Sequence, residues 1–152
     1  MKKPLACLLL AVMLLTGCGT PGPAEEHLIR VGFSQVGSES DWRIANTASM
    51  TAALSEANGY ELLFDNAKQR QENQLLAIRN FIQQDVDYIV LAPITESGWD
   101  DVLQEAKGSG IPVIIVDRRI SVSDDSLYTS WVGSDFLAEG RRAVRWLEEQ
   151  LQ

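Results

Sequence analysis

A doubly wound α/β fold, a parallel sheet with helices on both faces, is what this sequence predicts. Extended apolar segments start near residues 29, 60, 87, 113 and 128, and each is followed by a run with helical spacing. Short connections between such units imply right-handed crossovers and parallel strands. Val113-Ile114-Ile115-Val116 is apolar without alternation, as a strand covered on both faces requires.

The elements follow in order. Residues 29–33 form the first strand, and the polar loop to Asp41 leads into a helix over about residues 42–58. Alanines at 45, 48, 52, 53 and 57 join Ile44 and Leu54 along its expected apolar surface, and Asn58-Gly59 stops it. Residues 60–64 make a second strand. A helix over about residues 70–84 then gathers Leu75, Ile78, Phe81 and Ile82 on one face.

Residues 87–91 form the third strand, ended by Ala92-Pro93. Trp99, Val102, Leu103 and Ala106 recur at helical spacing until Gly108 and Gly110, and Pro112 opens the fourth strand. Residues 128–132 are the fifth, with Trp131 read as structural. Asp135 is placed to cap a last helix whose expected buried stripe is Leu137, Gly140, Val144, Leu147 and Leu151.

The chain opens as an export segment. Met1-Lys2-Lys3 is basic, residues 5–15 are an apolar run of 11, and Leu15-Thr16-Gly17-Cys18 follows. Such a run is shorter than the roughly 20 residues a spanning helix needs. The ordering resembles the lipobox of bacterial lipoproteins, which implies removal of residues 1–17 and lipidation of Cys18. Residues 18–27 read as a flexible linker, and residues 28–152 as one folded domain.

Charge and composition exclude several classes. The net charge of −8 becomes −10 once Lys2 and Lys3 are removed, so a nucleic-acid partner is not expected. Cys7 falls in the export segment and the lipobox resemblance implies that Cys18 is lipidated, so no disulfide is expected. The only imidazole, His27, stands alone, so neither a metal site nor a cofactor is expected.

In a doubly wound sheet, ligands sit beyond the carboxyl ends of the strands. One such loop holds Ser34, Gln35, Ser38, Glu39, Ser40, Asp41, Trp42 and Arg43; another is Asp117-Arg118-Arg119. Hydroxyls, carboxylates and guanidinium groups beside an indole suit a polyhydroxylated ligand, whose hydroxyls donate and accept while the ring covers a C–H face. The blander alternatives are a solvated loop with Trp42 in the core, and a surface salt bridge at Asp117 and Arg118. Trp99 fits the core, and Pro93-Ile94-Thr95 either narrows the rim or ends a strand.

Catalysis has little support. There is no glycine-rich phosphate loop, no G-x-S-x-G elbow and no histidine for a nucleophilic triad. A glycosidase pair drawn from Glu39 or Asp41 with Asp117 requires a carboxylate separation that the sequence does not state.

The domain resembles the N-terminal lobe of periplasmic sugar-binding proteins of the ribose and galactose class, the type I periplasmic binding proteins. Val31-Gly32-Phe33-Ser34-Gln35-Val36-Gly37-Ser38-Glu39-Ser40-Asp41-Trp42-Arg43 is similar to the galactofuranose-binding branch in particular. Lys68-Gln69-Arg70-Gln71-Glu72-Asn73-Gln74, Ala92-Pro93-Ile94, Gly98-Trp99, Ile111-Pro112-Val113 and Val116-Asp117-Arg118 extend the likeness.

The resemblance implies that Ser38, Glu39, Trp42 and Arg43 line one wall of a sugar site and that Asp117 and Arg118 grip ring hydroxyls. It implies a monosaccharide ligand such as galactofuranose, galactose or ribose, no catalysis, and delivery to the membrane permease of an ABC importer. A membrane sensor fed by the same module is an alternative, and a glycoside-processing enzyme is a rival of another class. Asp41 stands where that branch usually has glycine, and Arg43 where ribose binders place a stacking aromatic, so the sugar stays open. The implied second lobe is absent from the 152 residues. The single lobe is expected to bind weakly and to expose surface prone to association.

Overall fold

The computed structural model describes residues 27–151, so the export segment, Cys18 and all of the linker but His27 lie outside the described residues. Parallel strands build one sheet. β1 (Ile29–Gln35) lies between β2 (Tyr60–Asn66) and β3 (Tyr88–Leu91), followed by β4 (Val113–Val116) and β5 (Ser130–Val132) at the far edge. The order β2-β1-β3-β4-β5 reverses between β1 and β3, and such a switch point opens a crevice above the strand ends.

Register sorts the side chains onto two faces. Val31 is opposite Leu62 and Tyr88, Phe33 opposite Phe64 and Val90, and Val90 opposite Ile114. On this face α1 (Asp41–Ala53) packs through Met50, with Leu54 just beyond it. The other face carries Ile89, Leu91, Val113 and Ile115 under α2 (Gln71–Gln83) and α3 (Asp100–Gly108). A Cβ at Gly32 would collide with the Phe81 ring, so glycine is what lets α2 approach β1. Arg79 of α2 also forks onto Glu105 of α3, and that bond holds the Glu105 carboxyl below its ordinary range.

The interior strand expected at residues 113–116 is there, flanked by β3 and β5. Trp99 is fully buried and precedes α3, whose Val102, Leu103 and Ala106 face inward as their spacing predicts. Two helices depart from expectation. In α1, Ile44 and Ala45, Ala48, Ala52 and Ala53 face solvent, as does Ala57 beyond it, while Arg43, Asn46, Thr47 and Met50 turn inward. The reason is Gln35, whose buried amide needs polar partners and takes Asn46 Oδ1 at 2.7 Å and Thr47 Oγ1 at 3.4 Å.

The second correction concerns α4 (Phe136–Gln150), capped by Asp135, whose carboxylate accepts from the Ala138 N–H at 2.9 Å. Its stripe of Leu137, Gly140, Val144, Leu147 and, just beyond, Leu151 is not buried; every one of these residues is exposed. The helix follows β5 at the edge of the sheet, and among the described residues none buries its apolar stripe.

Candidate ligand-binding site

Arg43 organises the rim. It sits in the first turn of α1, where the Ser40 hydroxyl caps the helix by accepting the Arg43 N–H at 3.3 Å. That cap fixes the helix start, and its side chain runs inward, leaving the residue 4% exposed. Arg43 Nη1 lies 2.9 Å from Asp117 Oδ2, and Nε lies 3.4 Å from Glu39 Oε1. Nη1 also donates to Gln35 Oε1 at 3.4 Å. Three oxygens from two strand exits and one loop therefore surround a single guanidinium, which compensates its burial.

Asp117 ends β4 with φ of +69°, a left-handed backbone that short polar side chains tolerate better than others. Its N–H donates to Val132 O at 2.9 Å, and its carbonyl accepts from Trp131 Nε1 at 3.2 Å. A Cβ at Gly133 would strike that carbonyl and the Trp131 ring, so the exits of β4 and β5 are closely stacked there. The turn aims the carboxylate at Arg43. Asp117 Oδ1 and Arg43 Nη2 make no hydrogen bond to any described residue, which leaves an acceptor and a donor for a ligand.

Trp42 is 52% exposed and stands beside this pair, with the Arg43 guanidinium 4.8 Å from its ring centre. It is a rim residue and not part of the core. Arg118 is more loosely placed: Nε is 4.0 Å from Asp117 Oδ2, and Nη1 donates to Ile94 O at 3.5 Å. Ser38 turns toward the β2 exit, where its hydroxyl accepts from Asn66 Nδ2 at 2.9 Å. Glu39, Trp42, Arg43 and Asp117 thus come together, with Arg118 at one side and Ser38 at the other. Arg119 stacks on Trp131 at 3.7 Å from its ring centre.

Sequence reasoning missed the residues that hold the loops in place. Gln74, fully buried on α2, donates to Ala92 O at 2.7 Å and accepts from Ile94 N at 3.0 Å, tying the β3 exit to α2. Lys68 and Gln69 have φ of 51° and 60°, and the Gln69 N–H donates to Val36 O at 2.8 Å. This pinned turn seats the β2 exit against the Ser38 loop. Gln74 beside Leu75 and Leu76 was the available signal. Asp65, beside the rim, has its carboxyl raised above 3.8 by burial, partly offset by the Ser34 hydroxyl bond.

Among the described residues there is no cluster of metal-ligating side chains, and no helix is long and apolar enough to cross a membrane. The arrangement offers fixed donors and acceptors with an exposed aromatic beside them. Glu39 and Asp117 both converge on one guanidinium, which compensates the two carboxylates together.

Residues 31–152 match the family described as "Periplasmic binding protein domain". The chain is 45% identical over 123 residues to the galactofuranose-binding protein YtfQ of Escherichia coli, covering 81% of this chain and 38% of that protein. The periplasmic binding protein component of the arabinose ABC transporter from Shewanella sp. ANA-3, bound to α- and β-L-arabinofuranose, superposes with a TM-score of 0.77 at 50% identity, covering 81% of this chain and 40% of that one. A protein from Mycobacterium smegmatis in complex with β-D-fucofuranose gives a TM-score of 0.76 at 50% identity, with 80% and 40% covered. The chain spans about two fifths of the length of these relatives.

Proposed function

The chain belongs to the periplasmic binding protein domain family, and on that premise we propose that it supplies one wall of an extracytoplasmic site for a monosaccharide in furanose form, serving an ABC importer without catalysing a reaction. The observation that carries this reading is the ion pair between buried Arg43 at the start of α1 and partly buried Asp117 at the exit of β4, with one donor and one acceptor unspent beside exposed Trp42. Each ring hydroxyl both donates and accepts, so a guanidinium and a carboxylate held together read two hydroxyls at once. Ser38, Glu39 and Arg118 extend the wall. Relatives at 45–50% identity carry galactofuranose, arabinofuranose and fucofuranose in their names, which supports a five-membered ring over ribose or galactose in other forms.

Calorimetry with galactofuranose, arabinofuranose, galactopyranose and ribose tests the reading. Heat of binding for a furanose, lost in Arg43→Met, is the expected result. Binding of none of them, or product release from a glycoside, overturns it. Cys18 is proposed as the lipid anchor on the strength of the Leu15-Thr16-Gly17-Cys18 run. Metabolic labelling with a fatty acid should mark the wild-type chain and not Cys18→Ala.

A further inference from the structure

Gln35 is the fully buried last residue of β1, and its amide is spent on every side. Oε1 accepts from the Val36 N–H at 3.0 Å and from Arg43 Nη1 at 3.4 Å, while Nε2 donates to Asn46 Oδ1 at 2.7 Å and to Thr47 Oγ1 at 3.4 Å. A backbone N–H and a guanidinium only donate, so the oxygen has to face them and the amide has a single orientation. Its backbone is pinned as well, because Gln35 O accepts from the Ala67 N–H at 3.0 Å. Strand end, helix α1 and the Arg43 side chain are thereby locked to one another.

The oxygens around Arg43 do different work. The carboxylates of Asp117 and Glu39 neutralise it, yet their side chains keep 15% and 32% exposure and stay open to water. A carboxylate also accepts from either Nη, so the ion pair alone lets the guanidinium turn about its Nε–Cζ bond. Gln35 Oε1 is closed to water and bonds Nη1, which makes the two nitrogens inequivalent. Nη2, which bonds no described residue, is left as the donor for a ligand.

We infer that Gln35 is a positioning residue: its amide oxygen selects Nη1, sets the guanidinium plane and so holds Nη2 in place for a sugar hydroxyl, without itself reaching the ligand. The part that concerns the ligand rests on the furanose reading of the rim. An arginine ordered in advance loses little rotamer freedom when the sugar arrives, and the saving is expressed as affinity.

Two variants test it. Gln35→Met removes the acceptor at similar length. Gln35→Met combined with Asn46→Leu and Thr47→Val also makes the amide's partners apolar, which relieves the cost of stranded polar groups. Nitrogen NMR of the Arg43 guanidinium, identified by the signals missing in Arg43→Met, is recorded without ligand. Calorimetry with galactofuranose and arabinofuranose, and urea unfolding, use the same preparations. Wild type should show separate Nη1 and Nη2 signals. Both variants should merge them and bind a furanose about tenfold more weakly, although the combined variant should unfold at higher urea than Gln35→Met. Merged signals in wild type, separate signals in the combined variant, or an affinity that recovers together with stability overturns the inference and leaves Gln35 a purely structural residue. A wild type that binds no furanose overturns the furanose reading instead, and the NMR signals still decide whether Gln35 sets the guanidinium.

Discussion

Arg43 and Asp117, far apart in the chain, meet at 2.9 Å between Nη1 and Oδ2, with their side chains 5% and 15% exposed. Removing one partner of such a pair leaves a buried charge short of its counter-ion, at a cost of about 3–5 kcal/mol. Because Glu39 remains beside Arg43, Asp117→Ala should lose about 3 kcal/mol of stability, at the low end of that range. Urea unfolding of Asp117→Ala, Arg43→Met and the double variant checks this. The double should lose clearly less than the two singles together; simple additivity would show that the pair is not a unit.

Trp42 is exposed on the first turn of α1 and caps no core, so Trp42→Ala should change stability by no more than about 0.5 kcal/mol. Its furanose affinity should nevertheless fall about tenfold, as expected when an aromatic C–H platform worth roughly 1.4 kcal/mol is removed. Unfolding midpoints and calorimetry on the same preparation separate the two effects. A large stability loss with unchanged binding would return Trp42 to a structural role.

Gly133 has no room for a side chain against the Asp117 carbonyl and the Trp131 ring. Gly133→Ala should therefore displace the Asp117 turn, at about 1–3 kcal/mol of stability, and should weaken ligand binding as well. Thermal unfolding and calorimetry measure both, and a variant with wild-type affinity would show that the Asp117 turn is held by other contacts.

Two carboxyls give opposite pH signatures. Burial raises Asp65 above 3.8, so the folded state holds its proton more tightly than the unfolded chain. The stability this contributes is complete below about 3.8 and is lost as pH rises through the raised value. Asp65→Asn should gain on wild type over that interval and then stay level. Asp100 is lowered by bonds from the Ser123 hydroxyl and N–H, so its contribution is present above about 3.8 and disappears as pH falls through the lowered value. Asp100→Asn should lose stability at neutral pH and match wild type in strong acid. Unfolding measured from pH 2 to 8 reads both slopes, and equal pH profiles for variant and wild type would contradict either assignment.

The strands were legible because extended apolar runs leave a compositional trace, as in Val113-Ile114-Ile115-Val116, although cover is complete only on the face of Val113 and Ile115 and partial on that of Ile114 and Val116. Helix faces were less so. Alanine is apolar and a strong helix former, yet in α1 it lines the solvent side, while the inward face is set by the polar demand of Gln35. In α4 the periodicity was read correctly as amphipathic, but periodicity does not say which surface the stripe meets. At the rim, Trp42, Arg43 and Asp117 could be chosen one by one from strand-end position. Their meeting, and the roles of Gln74 and the Lys68-Gln69 turn, depend on contacts between distant segments that no local pattern encodes.

The left-handed backbone at Asp117 also narrows how this wall can diversify. Glycine, asparagine and aspartate fit that corner at little cost, whereas a branched or bulky residue would distort it. Of the three, only the two with side chains can still hold a hydroxyl. On the proposed reading of this wall as a sugar site, variation in preference is channelled away from the end of β4 toward Trp42 and Arg118, whose backbones carry no such restriction, so the corner acts as an anchor point around which the rest of the rim can be retuned.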